Sequence, residues 1–235
     1  MWDNAPLLRG IAGALFFASV LAMLYGAGHY VVHQPKLLPI KSVRLADVPQ
    51  RVDPEQVLAV VKREVRGNFL TVDIDRLRRQ LEKLPWVRSV SVRREYPNRL
   101  AVTFEEHSAV ARWNDVALVN RQGEVFYGET AEKLPKFFGV DGSSHEVLQQ
   151  YAKFSEQLSP LNLGLTELTL SPRHAWRLNL SNAMVVELGR ESMEQRLARF
   201  VSVYRYSLLP IDGGLNKTVV DMRYRYGFTV KGRHA

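Results

Sequence analysis

An uninterrupted apolar run near the amino terminus constrains this sequence more than any other feature. Residues 10–32 contain no Asp, Glu, Lys or Arg. As a helix rising about 1.5 Å per residue, they cover the roughly 30 Å hydrocarbon core of a bilayer. We therefore predict a transmembrane helix over residues 10–32, a short tail over residues 1–9 and a large exported part after the span.

A cleaved secretory signal is the competing interpretation. Such a signal has a shorter apolar stretch followed by a small-x-small cleavage site. Here only residues 26–28, Gly-Ala-Gly, resemble such a site, and the apolar run continues beyond them to Val32. The sequence favours a retained anchor, and both interpretations export the remainder.

Charge alone does not fix the orientation of the anchor. Arg9 precedes the span, and three basic residues follow it, namely Lys36, Lys41 and Arg44. No second apolar segment returns the chain across the membrane. We therefore expect a cytoplasmic amino terminus and two periplasmic domains.

Composition limits the class of the exported part. The chain has 235 residues, of which 46% are hydrophobic, so we expect two ordered domains. The formal net charge is +8, but basic and acidic residues are interleaved, and export argues against nucleic acid as a partner. There is no cysteine, which agrees with an oxidising compartment and excludes disulfides and thiolate chemistry.

The first exported domain, predicted over residues 33–108, has the order strand, helix, helix, strand, strand. Residues 42–46 alternate as a short strand, and Asp53 and Asp73 are predicted to cap the two helices. Two alternating runs around a turn at residues 96–98 predict a hairpin. The buried stripe of the first helix is predicted to contain Val57, Leu58, Val61 and Val65.

The second exported domain, predicted over residues 109–235, is mostly antiparallel β with flanking helices. Strands are predicted at 110–113, 116–120, 124–127, 165–170, 176–180, 184–188, 218–224 and 228–231. Helices are predicted at 144–158 and from Met193 towards Pro210. The last two strands form a hairpin, and we expect the final strand at a sheet edge. The fold class is therefore α+β.

Several motifs resemble those of a known family. Residues 84–87, Leu-Pro-Trp-Val, and 94–100, Arg-Glu-Tyr-Pro-Asn-Arg-Leu, are similar to the POTRA domain of the FtsQ/DivIB cell-division proteins. Further matches follow in the same order: Leu118-Val119-Asn120, Leu188-Gly189-Arg190, Arg196-Leu197, Arg199-Phe200 and residues 220–224, Val-Asp-Met-Arg-Tyr. The resemblance covers nearly the whole chain.

The resemblance implies a function. Members of this family are single-pass scaffolds of the bacterial inner membrane that act at the division septum and link early and late division proteins. It implies partners as well: FtsB and FtsL, which bind the β domain and so control septal peptidoglycan synthesis, and other divisome proteins such as FtsK, FtsW and FtsI.

We place the FtsB-type contact, by addition of a strand, on the final hairpin. The predicted site residues are Arg173, Arg223, Tyr224, Gly227, Phe228, Thr229 and Val230. Tyr224 and Phe228 are predicted aromatic anchors, and Arg173 and Arg223 are predicted donors to acidic partner residues. A structural alternative stays open, in which Tyr224 packs the domain and Arg223 pairs with Asp221 or Glu187.

The sequence offers no credible catalytic or metal site, and no cofactor is predicted. The six histidines have no ligand spacing. Glu105 and Glu106 are adjacent, so on a strand they point to opposite faces, and we predict that they form the solvated end of a hairpin. Trp113 and Trp176 are predicted core residues. The remaining alternatives are a POTRA-containing envelope chaperone or assembly factor and an unrecognised wall hydrolase.

Overall fold

A computed structural model describes residues 5–32, 34, 39–46, 49–208 and 218–232. The first four residues of the predicted tail and the predicted approach of the last helix to Pro210 lie outside these ranges. The chain divides into two compact units, one ending at Glu106 and the other beginning at His107.

The apolar run forms one continuous helix, α1, at Ala5–Val32. Its segment Leu8–Val32 has a mean hydropathy of 1.8 and is the one helix among the described residues that is long and apolar enough to cross a membrane. The predicted span, residues 10–32, lies within it.

The rest of the first unit contains two helices and a three-stranded sheet, as predicted. The elements are β1 Ser42–Leu45, α2 Pro54–Glu64, α3 Ile74–Leu81, β2 Val87–Glu95 and β3 Arg99–Glu106. The strand order is β1-β3-β2, with β1 parallel and β2 antiparallel to β3. The carboxylate of Asp53 accepts the Glu55 N–H at 2.9 Å, and that of Asp73 accepts the Arg76 N–H at 2.8 Å. Both predicted helix caps are confirmed.

The predicted buried stripe of α2 was wrong at two positions. Val57, Val60 and Val61 are buried, whereas Leu58 is 52% exposed and Val65 lies beyond the end of the helix. At about 100° per residue, Val60 lies about 60° to one side of Val57, while Leu58 lies about 100° to the other side. The stripe is therefore centred on the side of Val60.

The second unit is built on one nine-stranded sheet with two helices. Its elements are β4 Ala109–Trp113, β5 Ala117–Asn120, β6 Val125–Phe126, β7 Lys136–Phe138, α4 Ser144–Leu158, β8 Leu165–Leu170, β9 Trp176–Leu180, β10 Val185–Gly189, α5 Met193–Val203, β11 Thr218–Asp221 and β12 Thr229–Gly232. The strand order is β12-β11-β10-β9-β8-β7-β4-β5-β6. A π-helical turn, Tyr204–Leu208, continues α5.

The sheet is more mixed than predicted. Five neighbouring pairs are antiparallel, and three are parallel. Strand β7 was not predicted, because its three residues are too few to show a period. This short strand joins β4 to β8 and makes one continuous sheet.

The core of the second unit lies between the sheet and its helices. Phe154 of α4, Leu197 and Phe200 of α5, and Leu178 and Val186 of the sheet are fully buried. Trp113 and Trp176 are 4% and 3% exposed, which confirms their predicted place in the core. Because the core covers one face of β9 to β11, Arg177, Glu187 and Asp221 form a charged row across the other.

Candidate partner-binding site

The final hairpin lies at the edge of the larger sheet. β12 pairs antiparallel with β11, from Thr218 with Gly232 to Asp221 with Thr229. No other strand in the described part of the chain pairs with β12. The prediction that the last strand is a sheet edge is confirmed.

The backbone groups at this edge follow from the hydrogen-bond pattern of β11. The Met222 N–H donates to the Glu187 carbonyl at 2.9 Å, so Val220 and Met222 turn their backbone groups towards β10. Val219 and Asp221 then turn theirs towards β12, because these groups alternate along a strand. Lys231 and Thr229 are bonded to β11, and the N–H and C=O of Val230 point out of the sheet.

The side chains of the hairpin divide between the domain and solvent. Val230 lies opposite fully buried Val220, and Val230 and Phe228 both pack against the core. Phe228 therefore has a structural contact in addition to its predicted role as a partner anchor. Tyr224 and Thr229 are exposed, with Tyr224 at 55%.

Arg223 is paired within the domain. Its Nε and Nη2 donate to Oδ1 and Oδ2 of Asp221 at 2.9 and 2.6 Å, and Nη2 lies 3.6 Å from Oε2 of Glu187. The internal pairing left open above is thus present. The Arg223 side chain nevertheless remains 57% exposed, so its outer edge is accessible to a further acceptor.

Arg173 and Arg223 line the same cavity, which has a volume of about 300 Å³. Gly189, at φ +74°, forms part of its wall, and a Cβ there would lie 2.9 Å from Nη1 of Arg196 and 3.1 Å from Cγ of Arg223. The positive φ and the close approach of the Arg196 and Arg223 side chains therefore favour glycine at the end of β10. The structure brings together the two arginines that the sequence analysis selected.

Arg199 of α5 fixes the turn between β11 and β12. Its Nη2 donates to the carbonyls of Met222 and Tyr224 at 3.1 and 2.7 Å, and its Nη1 donates to that of Arg225 at 2.6 Å. One planar guanidinium thus joins three carbonyls of the turn. Because Tyr224 belongs to this turn, Arg199 sets its position.

A second cavity of about 530 Å³ shares Glu191 and Arg196 with the first. Its lining residues are Glu191, Ser192, Gln195, Arg196, Arg199, Tyr224 and Arg225. We call the two cavities together the arginine cleft. Its arginines are Arg173, Arg190, Arg196, Arg199, Arg223 and Arg225, and its one acidic lining residue is Glu191. The charge of the cleft favours an acidic partner segment.

The sequence analysis did not predict that Arg190, Arg196, Arg199 and Arg225 belong to the site. A signal was present, because Arg196 and Arg199 each precede a buried residue of α5, Leu197 and Phe200. Three residues apart on a helix, they lie on neighbouring positions of one surface. The contact of that surface with the hairpin is long-range, so the pattern alone did not reveal it.

The Asp221–Arg223 pair changes the acid–base behaviour of the hairpin. Hydrogen bonding from Arg223 lowers the pKa of the Asp221 carboxyl below its ordinary value of 3.8, against an opposing effect of burial. The same interaction raises the pKa of Arg223. Both groups are charged at neutral pH.

The carboxylates of Glu105 and Glu106, which are adjacent in sequence, both make contacts within the first unit. Glu105 accepts from Arg88 and, at 2.9 Å, from the Ser89 hydroxyl. Glu106 accepts the backbone N–H groups of residues 50–52 at 3.0 to 3.2 Å. Glu106 is therefore not simply a solvated residue, and that expectation was wrong. In the described part of the chain, no three His, Cys, Asp or Glu side chains are grouped to hold a metal ion.

The fold and this edge are those of a membrane-anchored protein with a POTRA domain and a carboxy-terminal β domain. Residues 38–107 match the family model described as POTRA domain, FtsQ-type, and residues 111–223 match that described as cell division protein FtsQ/DivIB, C-terminal.

Full-length relatives agree with this classification. The chain is 43% identical to the cell division protein FtsQ of Nitrosospira multiformis, over 99% of each chain. It is 37% identical to that of Burkholderia pseudomallei, over 98% of this chain and 94% of the relative, and 36% identical to that of Neisseria gonorrhoeae, over 100% and 96%. The chain belongs to the FtsQ family of cell-division scaffold proteins.

Proposed function

We propose that this protein is a non-enzymatic divisome scaffold of the inner membrane, with its amino terminus in the cytoplasm and both domains in the periplasm at the septum. In this role it links early and late division proteins, among them FtsK, FtsW and FtsI. Its β domain binds FtsB and FtsL and so controls septal peptidoglycan synthesis.

The observation that carries this proposal is the open edge of β12. The outward N–H and C=O of Val230 are not paired by any other strand of the described residues, and they offer a ladder position to an extended chain. A segment of FtsB adds there as a tenth strand, and main-chain hydrogen bonds fix its register.

Selectivity comes from the side chains beside this edge. Six arginines and one glutamate line the arginine cleft, so an acidic FtsB segment gains charge-assisted hydrogen bonds there. Tyr224 supplies an exposed aromatic surface next to the cleft. Gly227 leaves room for the added strand, because a Cβ at this position meets no atom within 4 Å.

A binding experiment with the full-length chain in lipid nanodiscs tests the proposal. We expect the periplasmic segments of FtsB and FtsL to bind the wild-type protein, and an Arg223→Ala, Tyr224→Ala double variant to lose most of the affinity. The matched control is Arg177→Ala, which removes an arginine from the same sheet but outside the arginine cleft. Equal losses in the two variants, or no binding by the folded wild-type protein, would contradict the proposal.

A further inference from the structure

The loop between α2 and α3 hydrogen-bonds to the end of the membrane helix. The Asn68 side chain is buried, at 1% exposed. Its Nδ2 donates to the Val32 carbonyl at 2.5 Å and to the Gln34 carbonyl at 3.1 Å. The last carbonyls of a helix have no partner within the helix, so Asn68 satisfies the end of α1 where α1 leaves the apolar span.

The other side of the Asn68 amide fixes its own loop. Its Oδ1 accepts the N–H groups of Leu70 and Thr71, both at 2.9 Å. Gly67 precedes it at φ +91°, where a Cβ would lie 2.7 Å from the Thr71 hydroxyl oxygen. Arg94 of β2 donates to the carbonyls of Phe69 and Val72, both at 2.9 Å. The loop is therefore rigidly built and joined to the anchor.

Two side chains on this loop, Leu70 and Arg66, are exposed. Leu70 is 52% exposed although the loop around it is fixed. The Arg66 side chain is also exposed, and its Nε donates to the Arg63 carbonyl at 3.3 Å. None of the ion pairs found among the described residues includes Arg66. Each is two residues from Asn68, so its Cα lies within about 7.6 Å of the Cα of Asn68.

We propose that residues 66–70, the membrane-facing loop, form a second contact with the bilayer. Leu70 enters the interfacial region, and Arg66 pairs with the phosphates of anionic lipids. The hydrogen bond from Asn68 to Val32 brings the membrane-facing loop to the level at which the apolar span ends. A loop at this level lies beside the lipid headgroups. At an anionic surface an apolar group and a cation together bind more strongly than either alone.

The test uses the full-length chain in nanodiscs. The sequence has no cysteine, so Leu70→Cys carries a single environment-sensitive fluorophore. Lys83→Cys is the matched control, because Lys83 is exposed and follows the far end of α3, which is about 12 Å long. The bilayers contain phosphatidylglycerol with phosphatidylethanolamine, or phosphatidylcholine alone, each with a nitroxide quencher in the headgroup region.

We expect strong quenching at position 70 in anionic bilayers, weaker quenching in neutral ones and little at position 83. Adding Arg66→Gln lowers the equilibrium constant for binding of the loop to anionic bilayers about fivefold and so reduces the quenching at position 70. Quenching at position 70 no greater than at position 83 would overturn the proposal. If quenching at position 70 is the same in anionic and neutral bilayers, and is the same with and without Arg66→Gln, then Arg66 does not pair with anionic phosphates and that part of the proposal is wrong.

Asn68→Asp tests the link to the anchor. The substitution keeps an acceptor for the Leu70 and Thr71 N–H groups but replaces the donor to Val32 with a carboxylate oxygen. We expect quenching at position 70 to fall to the level of position 83. Unchanged quenching would show that the loop does not depend on this bond and would overturn the argument from location.

Discussion

Two aromatic side chains of the final hairpin, Tyr224 and Phe228, have different environments. Phe228 packs against the core of the β domain, whereas Tyr224 is 55% exposed and belongs to a turn held by Arg199. An exposed aromatic ring contributes little to folding but a great deal to an interface that covers it. The two residues can therefore be separated by experiment.

We expect Tyr224→Ala to lower the affinity for the FtsB segment by about 2 kcal/mol, or roughly 30-fold, and to leave the Tm unchanged. Phe228→Ala removes core contacts and lowers the free energy of unfolding by about 2 kcal/mol. Calorimetric titration measures the affinity of both variants for the FtsB segment, and thermal unfolding measures their Tm. A fall in Tm for Tyr224→Ala equal to that for Phe228→Ala would show that Tyr224 packs the domain.

Asp221 makes stability depend on pH. Its pKa is lower in the folded protein than the ordinary 3.8 because Arg223 stabilises the carboxylate. The carboxylate therefore stabilises the folded state above about pH 3.8, and this contribution is lost as the pH falls below that value through the lowered pKa.

Asp221→Asn thus reduces the free energy of unfolding at pH 7 by up to about 1 kcal/mol, since the Arg223 partner is exposed. The difference from wild type is smaller at pH 2 than at pH 7, because below about pH 3.8 the unfolded state binds a proton that the folded Asp221 carboxylate, with its lowered pKa, takes up less readily. Urea unfolding of both proteins at pH 7 and at pH 2 measures this difference in the free energy of unfolding. A difference of the same size at pH 2 would show that charge is not its cause.

At the scale of elements, α5 supports the hairpin that follows it. Leu197 and Phe200 bury one side of the helix, and Arg199 reaches from its surface to three carbonyls of the turn. An ammonium group cannot reproduce this planar set of donors, so lysine is not equivalent at this position.

We expect Arg199→Lys to weaken FtsB binding at least tenfold, roughly 1.4 kcal/mol, and to shift the amide resonances of residues 222–226. Arg205→Lys is the control, because Arg205 follows the same helix and donates to one carbonyl, that of Pro160, at 3.0 Å. Normal binding by Arg199→Lys together with shifted turn resonances would show that the position of the turn does not matter.

Backbone groups along β12 point alternately towards β11 and out of the sheet, which gives a second test of strand addition at this edge. Val230→Pro removes an N–H that points out of the sheet, whereas Thr229→Pro removes one that bonds to β11. We expect Val230→Pro to lose FtsB binding while its Tm stays close to that of wild type, and Thr229→Pro to lower the Tm. The hypothesis fails if Val230→Pro binds normally in the folded state.

The sequence predicted elements where local periodicity is strong. Helix α4 and strands β8 and β9 have the predicted bounds, because long amphipathic and alternating runs reflect burial directly. Strand β7 was not predicted, since three residues show no period, and the predicted buried stripe of α2 was wrong at Leu58 and Val65. Only two of the six arginines of the arginine cleft were predicted. Arg173 and Arg223 came from the family resemblance, while Arg196 and Arg199 depend on a helix–hairpin contact that no local pattern encodes.

At the scale of the whole molecule, one anchor serves two units with different open surfaces. The β domain presents an edge strand, β12, whose outer side is not covered by any strand of the described residues, beside a cluster of arginines. Under the proposed function, a partner anchored in the same membrane would meet this protein at a high effective concentration, so a strand-addition contact of modest affinity would be sufficient. This arrangement suits a scaffold, which holds partners together without chemistry of its own.

Amide hydrogen exchange along β12, measured by NMR on residues 39–235 with and without the FtsB segment, tests the central claim most directly. The amides of Thr229 and Lys231 already bond to β11, so we expect them to exchange slowly in both states. The Val230 amide is expected to exchange fast in the free protein and slowly in the complex. Saturating FtsB that leaves the Val230 amide fast would contradict strand addition at this edge.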